Sequence, residues 1–480
     1  MTEKETDILK NRLIPVPQNC RFFDGTPFVI KNASRFIVTC GTEEDPALIA
    51  DIDRIITLYW GIHANISLQC CKTDLGKDAY ILKVAQDAVN ITADSREGVL
   101  NALKTLRQLA EQERNVKESV LFEVDPCEIH DAPAMTFRGI HLCWFPENHE
   151  WQLERAIRMA AYYKFNYIVL ETWGVFPFEK HPYLCWQQPG CHISKETIRR
   201  LVRVAKEQGV TVIPQFNLLG HASGSRENGG KHVIENQMPS GMSLVEPDGW
   251  TWCISNPETR KVLTDCVAEM IECFGNVGYF HVGCDEARLI GTCRSCRKKD
   301  LRDLLKDHLL YFYNYLKEQG IRMMMWHDML LNREDPRWNG YIVCGKESEG
   351  LGDLYRDLPR DMIICDWQYS VYKAPVVTTA HLKEKGYNVY GSAWGGQSWF
   401  TPDNARAHVD MVKQGKSDGI MMTTWGVTKR YDAVLYCAYD CGLPHNMWSK
   451  YSQPSTVVAT FYRNLLPAKG NWKKSGHVSK

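Results

Sequence analysis

Hydrophobic and polar positions divide the chain into two regions with different periodicities. In the first region, short alternating or apolar runs indicate strands, and apolar residues at helical spacing indicate helices over 47–59 and about 95–113. The predicted strands are Phe28–Ile30, Arg35–Thr39, Ala79–Val84 and Ala88–Thr92. Strands with helices on one face predict a small α+β domain, which we expect to span residues 1–134.

From about residue 135, short apolar runs alternate with amphipathic helical segments, as in parallel βα units. Eight runs are predicted as strands: Gly139–Cys143, Tyr167–Glu171, Val210–Pro214, Tyr279–Gly283, Arg322–Trp326, Met362–Asp366, Val389–Ser392 and Ile420–Thr424. Eight such units predict a TIM (β/α)8 barrel over residues 135–480, and the overall class is α/β. A doubly wound open sheet is the alternative fold, but no glycine-rich phosphate-binding sequence follows the first strand.

The composition excludes several classes of protein. The chain is 44% hydrophobic and carries 57 basic and 57 acidic residues, so it has the apolar content of a folded protein and no net charge. This balance offers no basic surface for nucleic acid, and no apolar stretch of about 18 residues is present to span a membrane. We therefore expect no nucleic-acid partner and no membrane partner.

The amino terminus and the cysteines indicate the cellular compartment of the protein. Met1–Asp7 is polar and lacks the apolar core of a signal peptide. Several of the 18 cysteines lie in apolar runs, where a thiol behaves as a small hydrophobic group. We expect a reduced, cytoplasmic protein that is a monomer or a homodimer.

The carboxyl ends of the predicted barrel strands carry the candidate chemistry, because active sites of TIM barrels form there. Six of the 15 tryptophans fall at these ends together with several carboxylates. Indole rings stack on the C–H faces of sugars while polar groups bind the hydroxyls, so the pattern favours a carbohydrate pocket. The candidates at these ends are Glu171, His221, Asp285, Glu286, Trp326, Asp328, Trp367, Tyr369, Trp394 and Trp425.

The acidic pair Asp285–Glu286 is the most informative of these features, because it directly follows an apolar strand. A helix N-cap acid followed by a solvated neighbour is the structural alternative. Glycosidases usually place two carboxyls about 5 to 9.5 Å apart, on either side of the scissile bond. Sequence neighbours fit better when the substrate's own acetamide attacks C1, one acid steering that group and the other protonating the leaving oxygen.

Several segments in this order resemble family 20 of the glycoside hydrolases, the β-N-acetylhexosaminidases. They are Tyr80–Leu109, His130–Pro133, Phe137–Gly139 and the signature His281–Glu286, and the likeness extends over nearly the whole chain. Within the family, the sequence is most similar to the intracellular hexosaminidase D type. The segments that carry this similarity are Glu171 with Phe176–Glu179, Leu219–His221 and Arg430–Asp432.

The resemblance implies a retaining exo-β-N-acetylhexosaminidase that removes terminal β-linked GlcNAc, or GalNAc, through an oxazoline intermediate. Glu286 matches the general acid, whose pKa should be raised by an apolar pocket, and Asp285 matches the residue that orients the acetamido group. Arg138 matches an arginine that binds sugar hydroxyls, and His221 a histidine that supports the acid. Trp326, Trp367 and Trp425 match indoles lining the sugar subsite, and Tyr369 is the candidate donor to the acetamide oxygen. The chemistry needs no metal and no organic cofactor.

The chain departs from the family pattern at three strand ends. Cys143 or Trp144 stands where many members have Asp, and Gln215 and Asn217 stand where many have Glu and Asp. Trp425-Gly426-Val427 lacks the Glu that binds O4 or O6 in many members. This leaves the gluco or galacto preference open. Lys429 and Arg430 suggest a 6-sulfated substrate as a hypothesis; solvation or pairing with nearby acids is the alternative.

Cysteines near the predicted active face raise a second possibility. Cys293 and Cys296 form a Cys-x-x-Cys sequence, and Cys185 and Cys191 lie in the loop after the second barrel strand. Four thiolates would suit a structural zinc ion, and free thiols are the alternative.

The sequence leaves two other functions open. One is a carbohydrate-binding barrel without catalysis. The other is a glycosidase that uses two protein carboxylates, for example Glu286 with Glu171 or Asp366.

Overall fold

The computed structural model describes residues 13–41, 46–114, 120–146, 148–186, 193–222, 237–394 and 402–425. Within these ranges, no helix combines the length and the apolar character that a bilayer crossing requires.

The described residues of the amino-terminal part form two sheets and two helices. A six-stranded sheet has the order β1-β9-β5-β6-β3-β4, and a three-stranded sheet has the order β2-β8-β7. Strand β3 pairs in parallel with β4 and β6, and the other pairs are antiparallel. The elements are β1 (Asn19–Phe22), β2 (Phe28–Ile30), β3 (Arg35–Cys40), α1 (Pro46–Trp60), β4 (Asn65–Cys70), β5 (Tyr80–Ala85), β6 (Ala88–Ala93), α2 (Arg96–Leu109), β7 (Glu111–Arg114), β8 (Val120–Val124) and β9 (Cys127–Asp131).

Helix α2 ends earlier than the sequence pattern predicts. Ser95 caps its first turn by accepting the N–H of Gly98, and the helix stops at Leu109, where Ala110 takes an extended conformation. The predicted helix over 95–113 is therefore wrong beyond Leu109. Its last residues form β7 and pair with β8, because sheet pairing outweighs the helix propensity of glutamate and glutamine.

The second part is a closed barrel of eight parallel strands, β10 to β17, in which β10 also pairs with β17. The predicted TIM barrel with a preceding α+β region is confirmed. Its elements are β10 (Phe137–Trp144), α3 (Glu150–Tyr162), β11 (Tyr167–Thr172), α4 (Lys195–Glu207), β12 (Thr211–Gln215), α5 (Pro257–Phe274), β13 (Tyr279–His281), α6 (Leu301–Lys317), β14 (Arg322–Trp326), β15 (Ile363–Asp366), α7 (Val377–Glu384), β16 (Asn388–Gly391), α8 (Pro402–Lys413) and β17 (Gly419–Thr423).

Short 3-10 helices occupy the connections after several strands. They are Pro182–Leu184, Pro239–Leu244, Cys296–Lys298, Asp328–Leu330, Pro336–Trp338, Glu347–Glu349 and Leu354–Asp357.

The barrel interior has an aromatic lower layer and a polar upper layer. At the amino ends, the ring of Phe137 stacks on Tyr167 and Tyr390, with centroids 4.4 and 4.2 Å apart. At the carboxyl end of β11, the inward position is Glu171, which has Cys143 of β10 and Gln215 of β12 as its pairing neighbours. The apolar layers close the barrel from below, so the polar side chains collect at its carboxyl end.

Candidate active site

The two candidate catalytic acids follow the fourth barrel strand. Asp285 and Glu286 come four and five residues after β13, which ends at His281. The intervening residues continue the pairing, because the N–H of Val282 donates to Met324 O at 2.8 Å and that of Trp326 donates to Gly283 O at 3.0 Å. The acidic pair is therefore fixed at the carboxyl end of the barrel by backbone hydrogen bonds to the adjacent strand.

Left-handed backbone conformations accumulate at this end of the barrel. Cys284 has φ +69°, Glu286 +46°, His221 +57° and Trp425 +53°. Non-glycine residues rarely adopt such values, which cost about 1–3 kcal/mol each and concentrate at functional sites. At Cys284 and Glu286 they break the alternation of a strand, so the two adjacent carboxylates reach the same histidine.

Two glycines allow the close approach of the loops after β12 and β13. A Cβ on Gly220 would lie 1.9 Å from the carbonyl oxygen of Asp285. A Cβ on Gly283, which has φ +63°, would lie 1.8 Å from Asn217 Oδ1. Only residues without a side chain fit at these two positions.

His221 contacts both acids through one nitrogen. Its Nε2 lies 3.1 Å from Asp285 Oδ2 and 3.4 Å from Glu286 Oε2. The imidazole is itself packed against aromatic rings, 5.5 Å from Trp173 and 4.2 Å from Trp250 between centroids. This arrangement holds the two carboxylates next to each other and orients them.

The two acids differ in their exposure to solvent. The side chain of Asp285 is 4% exposed, whereas that of Glu286 is 24% exposed. Asp285 Oδ1 is buried and has no hydrogen-bond partner among the described residues. Glu286 lies 3.5 Å from the guanidinium of the exposed Arg288. Chemically, the buried Asp285 can accept a hydrogen bond from the N–H group of a ligand, and the partly exposed Glu286 can exchange a proton with solvent.

Asp328 lies directly behind this pair and is fully buried. Its Oδ2 accepts the backbone N–H of Glu286 at 2.9 Å, and its Oδ1 accepts the indole N–H of Trp367 at 3.2 Å. Burial, and next the negative charge of Asp285, raise the pKa of Asp328 to about 6. Asp328 therefore fixes the backbone at Glu286 and the orientation of one pocket indole.

The candidate aromatic residues form one continuous group. Tyr369 lies between Trp367 and Trp394, with ring centroids 5.3 and 5.2 Å away. Its hydroxyl accepts the indole N–H of Trp425 at 2.9 Å and lies 3.0 Å from the hydroxyl of Thr423, which is also 2.9 Å from Ala393 O. The indole of Trp425 thus occupies one lone pair of the phenol oxygen.

Trp326 lies beneath this group, because its side chain is fully buried. Its ring centroid lies 5.9 Å from Trp425, 5.6 Å from His141 and 4.4 Å from His281. The indole thus forms the floor below Trp425.

Glu171 is brought to the same end of the barrel but is extensively hydrogen-bonded. Asn217 donates to its Oε1 at 2.6 Å, and His141 Nε2 and the Cys143 thiol lie 3.2 and 3.3 Å from its Oε2. Burial raises the pKa of Glu171, but the hydrogen bond and charge of His141 outweigh burial, so the net pKa is lowered. Glu171 is therefore an ionised, bound group in the wall of the pocket.

Asp366 has its own partners as well. Thr378 and Thr379 donate to its Oδ2 at 2.7 and 2.6 Å, and His327 Nε2 lies 3.1 Å from its Oδ1. These contacts hold Asp366 between β15 and α7.

Arg138 requires a correction, because the structure places it far from the acidic pair. It is the second residue of β10, at the amino end of the barrel, and its side chain is 2% exposed. Its guanidinium lies 3.0 Å from Asp78 and donates to the carbonyl oxygens of Lys164 and Met135. Arg138 thus joins the barrel to the amino-terminal sheets and cannot contact a sugar at the opposite end, about 16 Å along the strand.

One contributor to the site was not predicted from the sequence. Trp250, in the loop between β12 and α5, donates its indole N–H to the carbonyl oxygen of Glu286 at 3.1 Å and packs on His221. The pair of tryptophans at 250 and 252 was its only signal in the sequence.

Several predicted features fall outside the described residues. They are Gly426, Val427, Lys429, Arg430 and Cys191. Of the four cysteines considered for zinc, Cys293 and Cys296 lie together, but their neighbours are Cys253 and Glu246, and Cys185 is not in this group. The described residues therefore do not form the zinc arrangement with Cys185 that the sequence analysis weighed against free thiols.

The fold and site together define a (β/α)8-barrel protein with an acidic pair and a cluster of indole rings at the carboxyl end. The protein-family model described as "Glycosyl hydrolase family 20, catalytic domain" matches residues 126–435 of the sequence. A second family model, described as "Glycosyl hydrolase family 20, domain 2", matches residues 10–132. The chain belongs to glycosyl hydrolase family 20.

Similar proteins agree with this membership. A beta-hexosaminidase of Vibrio furnissii is 25% identical over 361 residues, which cover 67% of this chain and 58% of the relative. A chitooligosaccharidolytic beta-N-acetylglucosaminidase of Ostrinia furnacalis is 26% identical over 264 residues, covering 51% of this chain and 44% of the relative. The chain thus spans about half the length of these relatives.

Solved structures share the fold. The chitobiase of Flavobacterium johnsoniae superposes with a TM-score of 0.71 at 19% identity, covering 97% of this chain and 72% of that one. The N-acetyl-beta-hexosaminidase of Streptomyces plicatus, solved with Thio-NAglucal, gives 0.66 at 16% identity, covering 92% and 91%.

Proposed function

We propose that the chain is a retaining exo-β-N-acetylhexosaminidase that removes terminal β-linked GlcNAc, or GalNAc, from a glycan or glycoconjugate. The acetamido oxygen of the substrate attacks C1 and forms an oxazoline, and water then opens it. The observation that carries the proposal is the contrast between two adjacent acids on one histidine, one buried with an acceptor oxygen that has no partner among the described residues and one partly exposed.

In this mechanism Asp285 accepts the acetamide N–H through Oδ1 and offsets the positive charge that develops on the oxazoline. Glu286 donates its proton to the glycosidic oxygen and later removes one from the attacking water. The Tyr369 hydroxyl, which accepts the indole N–H of Trp425, donates its own hydrogen to the acetamide oxygen. Trp367, Trp394 and Trp425 surround the sugar ring, and Asp328 keeps Glu286 in place through its backbone.

The first experiment compares hydrolysis of aryl β-GlcNAc and β-GalNAc by the wild type, Asp285→Asn and Glu286→Gln. We expect Asp285→Asn to lose about 10³-fold in kcat, the scale of one positioned acid–base or electrostatic group. Glu286→Gln should retain more activity on nitrophenyl glycosides than on alkyl glycosides, because a good leaving group needs less proton donation.

The exposed Glu334→Gln serves as the matched control, since Glu334 also has an aspartate as its sequence neighbour but its carboxylate binds Ser348 on the surface. Wild-type rates in both active-site variants would refute the proposal.

A glycosidase with two protein carboxylates is the competing function. Both carboxylate oxygens of Glu171 are engaged by neighbouring side chains, which supports the acetamide over Glu171 as the nucleophile. Thr378 and Thr379 hold only Oδ2 of Asp366, so the inhibitor experiment decides between Asp366 and the acetamide. A thiazoline analogue of GlcNAc separates the two, because it should inhibit strongly only if the acetamide is the nucleophile. Weak inhibition with full hydrolase activity would favour the protein carboxylates.

The 6-sulfate hypothesis extends the proposal to the substituent at O6. Lys429 and Arg430 would bind the sulfate, so 6-sulfated aryl GlcNAc should turn over faster than the plain sugar. Equal rates would discard this extension and leave the acetamide mechanism untouched.

The location and assembly of the protein are further proposals. We propose a cytoplasmic enzyme that is a monomer or a homodimer, supported by the buried thiols Cys266, Cys273 and Cys365, which form no disulfide. Sedimentation and cell fractionation test both points; secretion or a larger assembly would contradict them.

A further inference from the structure

Four potential metal ligands meet beside the catalytic loops. One ligand atom from each of Glu246, Cys253, Cys293 and Cys296 lies within 4.8 Å of all the others. The Cys253 sulfur is 3.6 Å from that of Cys293 and 3.7 Å from that of Cys296. None of these residues takes part in the proposed reaction.

The sulfur separations match a shared cation. Zn²⁺ binds thiolates at about 2.3 Å in a tetrahedron, so two sulfurs on one ion are about 3.8 Å apart. A disulfide would need about 2.05 Å between the sulfurs, which these thiols do not approach. Three thiolates and one carboxylate complete four-coordination, and this soft donor set favours zinc over calcium or magnesium.

The cluster is also built as a buried site. Glu246 is fully buried, and Cys253 and Cys296 are 4% and 1% exposed. Glu246 Oε2 accepts the N–H of Cys293 at 2.6 Å, while its Oε1 is buried without a hydrogen-bond partner among the described residues. A buried carboxylate oxygen without a donor is costly unless a cation satisfies it.

The Cys-x-x-Cys turn has a hydrogen bond that suits a thiolate ligand. The backbone N–H of Cys296 donates to the sulfur of Cys293 at 3.3 Å. The adjoining residues Arg294, Arg297, Lys298 and Lys299 supply positive charge next to the anionic ligands.

We propose that Glu246, Cys253, Cys293 and Cys296 bind a structural Zn²⁺ ion. With four protein ligands the site is closed, so the ion is structural and takes no part in glycoside hydrolysis.

The position of the cluster indicates what the ion stabilises. Cys253 follows Trp250 by three residues, and Cys293 follows Glu286 by seven. The ion therefore ties the loop that carries Trp250 to the segment that carries Glu286, two elements already joined by the hydrogen bond from the indole to Glu286 O. Loss of the ion should loosen the surroundings of His221 and Glu286.

The test measures metal content in the full-length protein, produced with zinc in the medium and purified without chelator. Elemental analysis should give one zinc per chain in the wild type. Cys253→Ser and Cys296→Ser should lose it, whereas Cys185→Ser, a buried cysteine outside the cluster, should keep it. Zinc below a tenth of an equivalent in the wild type, or full zinc in Cys253→Ser, would overturn the proposal.

Two further measurements cover other outcomes. If the cysteine variants fail to fold, Glu246→Gln keeps all three thiols and should release zinc to a chromogenic chelator at least tenfold faster than the wild type. Equal rates of release would contradict the site.

Counting thiols after denaturation should give 18 without reductant once zinc is removed. A count of 16 that rises with reductant would indicate a disulfide and reject zinc. Metal content is read independently of hydrolysis, so either proposal can fail alone.

Discussion

The buried carboxylate of Asp328 makes a specific prediction about how stability depends on pH. Its pKa is raised from the ordinary 3.8 to about 6, first by burial and then by the charge of Asp285. The unfolded chain therefore ionises Asp328 before the native protein does. The stabilisation from the protonated form is fully present below pH 3.8 and is lost as the pH rises through about 6.

The size of this effect follows from the same values. A rise from 3.8 to about 6 corresponds to about 3 kcal/mol, since each pH unit is worth about 1.36 kcal/mol. Roughly 2.5 kcal/mol of this develops between pH 4 and pH 8. Asp328→Asn removes the ionisation and keeps the side-chain shape. The substitution also destabilises the protein, because the N–H groups of Glu286 and Trp367 bind the two oxygens of Asp328 and an amide offers only one oxygen. This loss of stability is nearly constant with pH.

The assay is urea unfolding of the wild type and Asp328→Asn at 25 °C and several pH values. The difference in unfolding free energy should shift by about 2.5 kcal/mol in favour of the variant between pH 4 and pH 8. Groups that titrate alike in both proteins cancel in this difference. Parallel curves, or a shift of opposite sign, would show that Asp328 is not a destabilised anion in the native protein.

Three other substitutions test separate parts of the account. Tyr369→Phe should lower kcat about 100-fold with little change in KM, the usual cost of one lost oxyanion donor; an unchanged kcat would remove its hydroxyl from the mechanism. Arg138→Gln should cost about 3 kcal/mol in urea unfolding and leave KM unchanged, because it breaks a buried ion pair away from the pocket; a raised KM would return Arg138 to sugar binding. Gly220→Ala should lower kcat about 100-fold by displacing Asp285, whereas Gly415→Ala, with open space around it, should cost only stability; equal activity of the two variants would contradict the close approach.

The barrel was predictable from the sequence because each strand is an apolar run between turns and helices. Arg322–Trp326 agrees in both bounds, and the other seven barrel strands agree within two residues at each bound. The amino-terminal sheets were harder to predict. Strand β4 alternates exposed residues with the half-buried Ile66 and Leu68, and β1 alternates exposed and half-buried positions, so neither contains a fully buried residue. Pairing partners distant in sequence determine these edge strands.

The site was predictable where the strand pattern determines it. The strand-end rule found Glu171, Asp285, Asp328 and Tyr369 because alternation and barrel closure bring all carboxyl ends together. Arg138 shows the limit of local resemblance, since its place at the start of a strand conflicts with that rule.

The residues of the long loop between β12 and α5 could not be placed from the hydrophobic pattern of the sequence. Glu246, Trp250 and Cys253 sit in a segment without periodicity, and only folding brings them to the loop after β13. The Cys-x-x-Cys sequence indicated a metal site, but half of its ligands came from this unpatterned loop.

The central claim is that the substrate's own acetamide is the nucleophile, and one series of substrates tests it directly. Aryl β-glucosaminides are prepared with N-acetyl, N-fluoroacetyl, N-difluoroacetyl and N-trifluoroacetyl groups, and kcat/KM is measured for each. Fluorine withdraws electrons from the attacking oxygen, so the account predicts a steep, progressive fall in rate along the series. Rates that stay level from acetyl to trifluoroacetyl would mean that a protein group attacks C1, and would contradict the account.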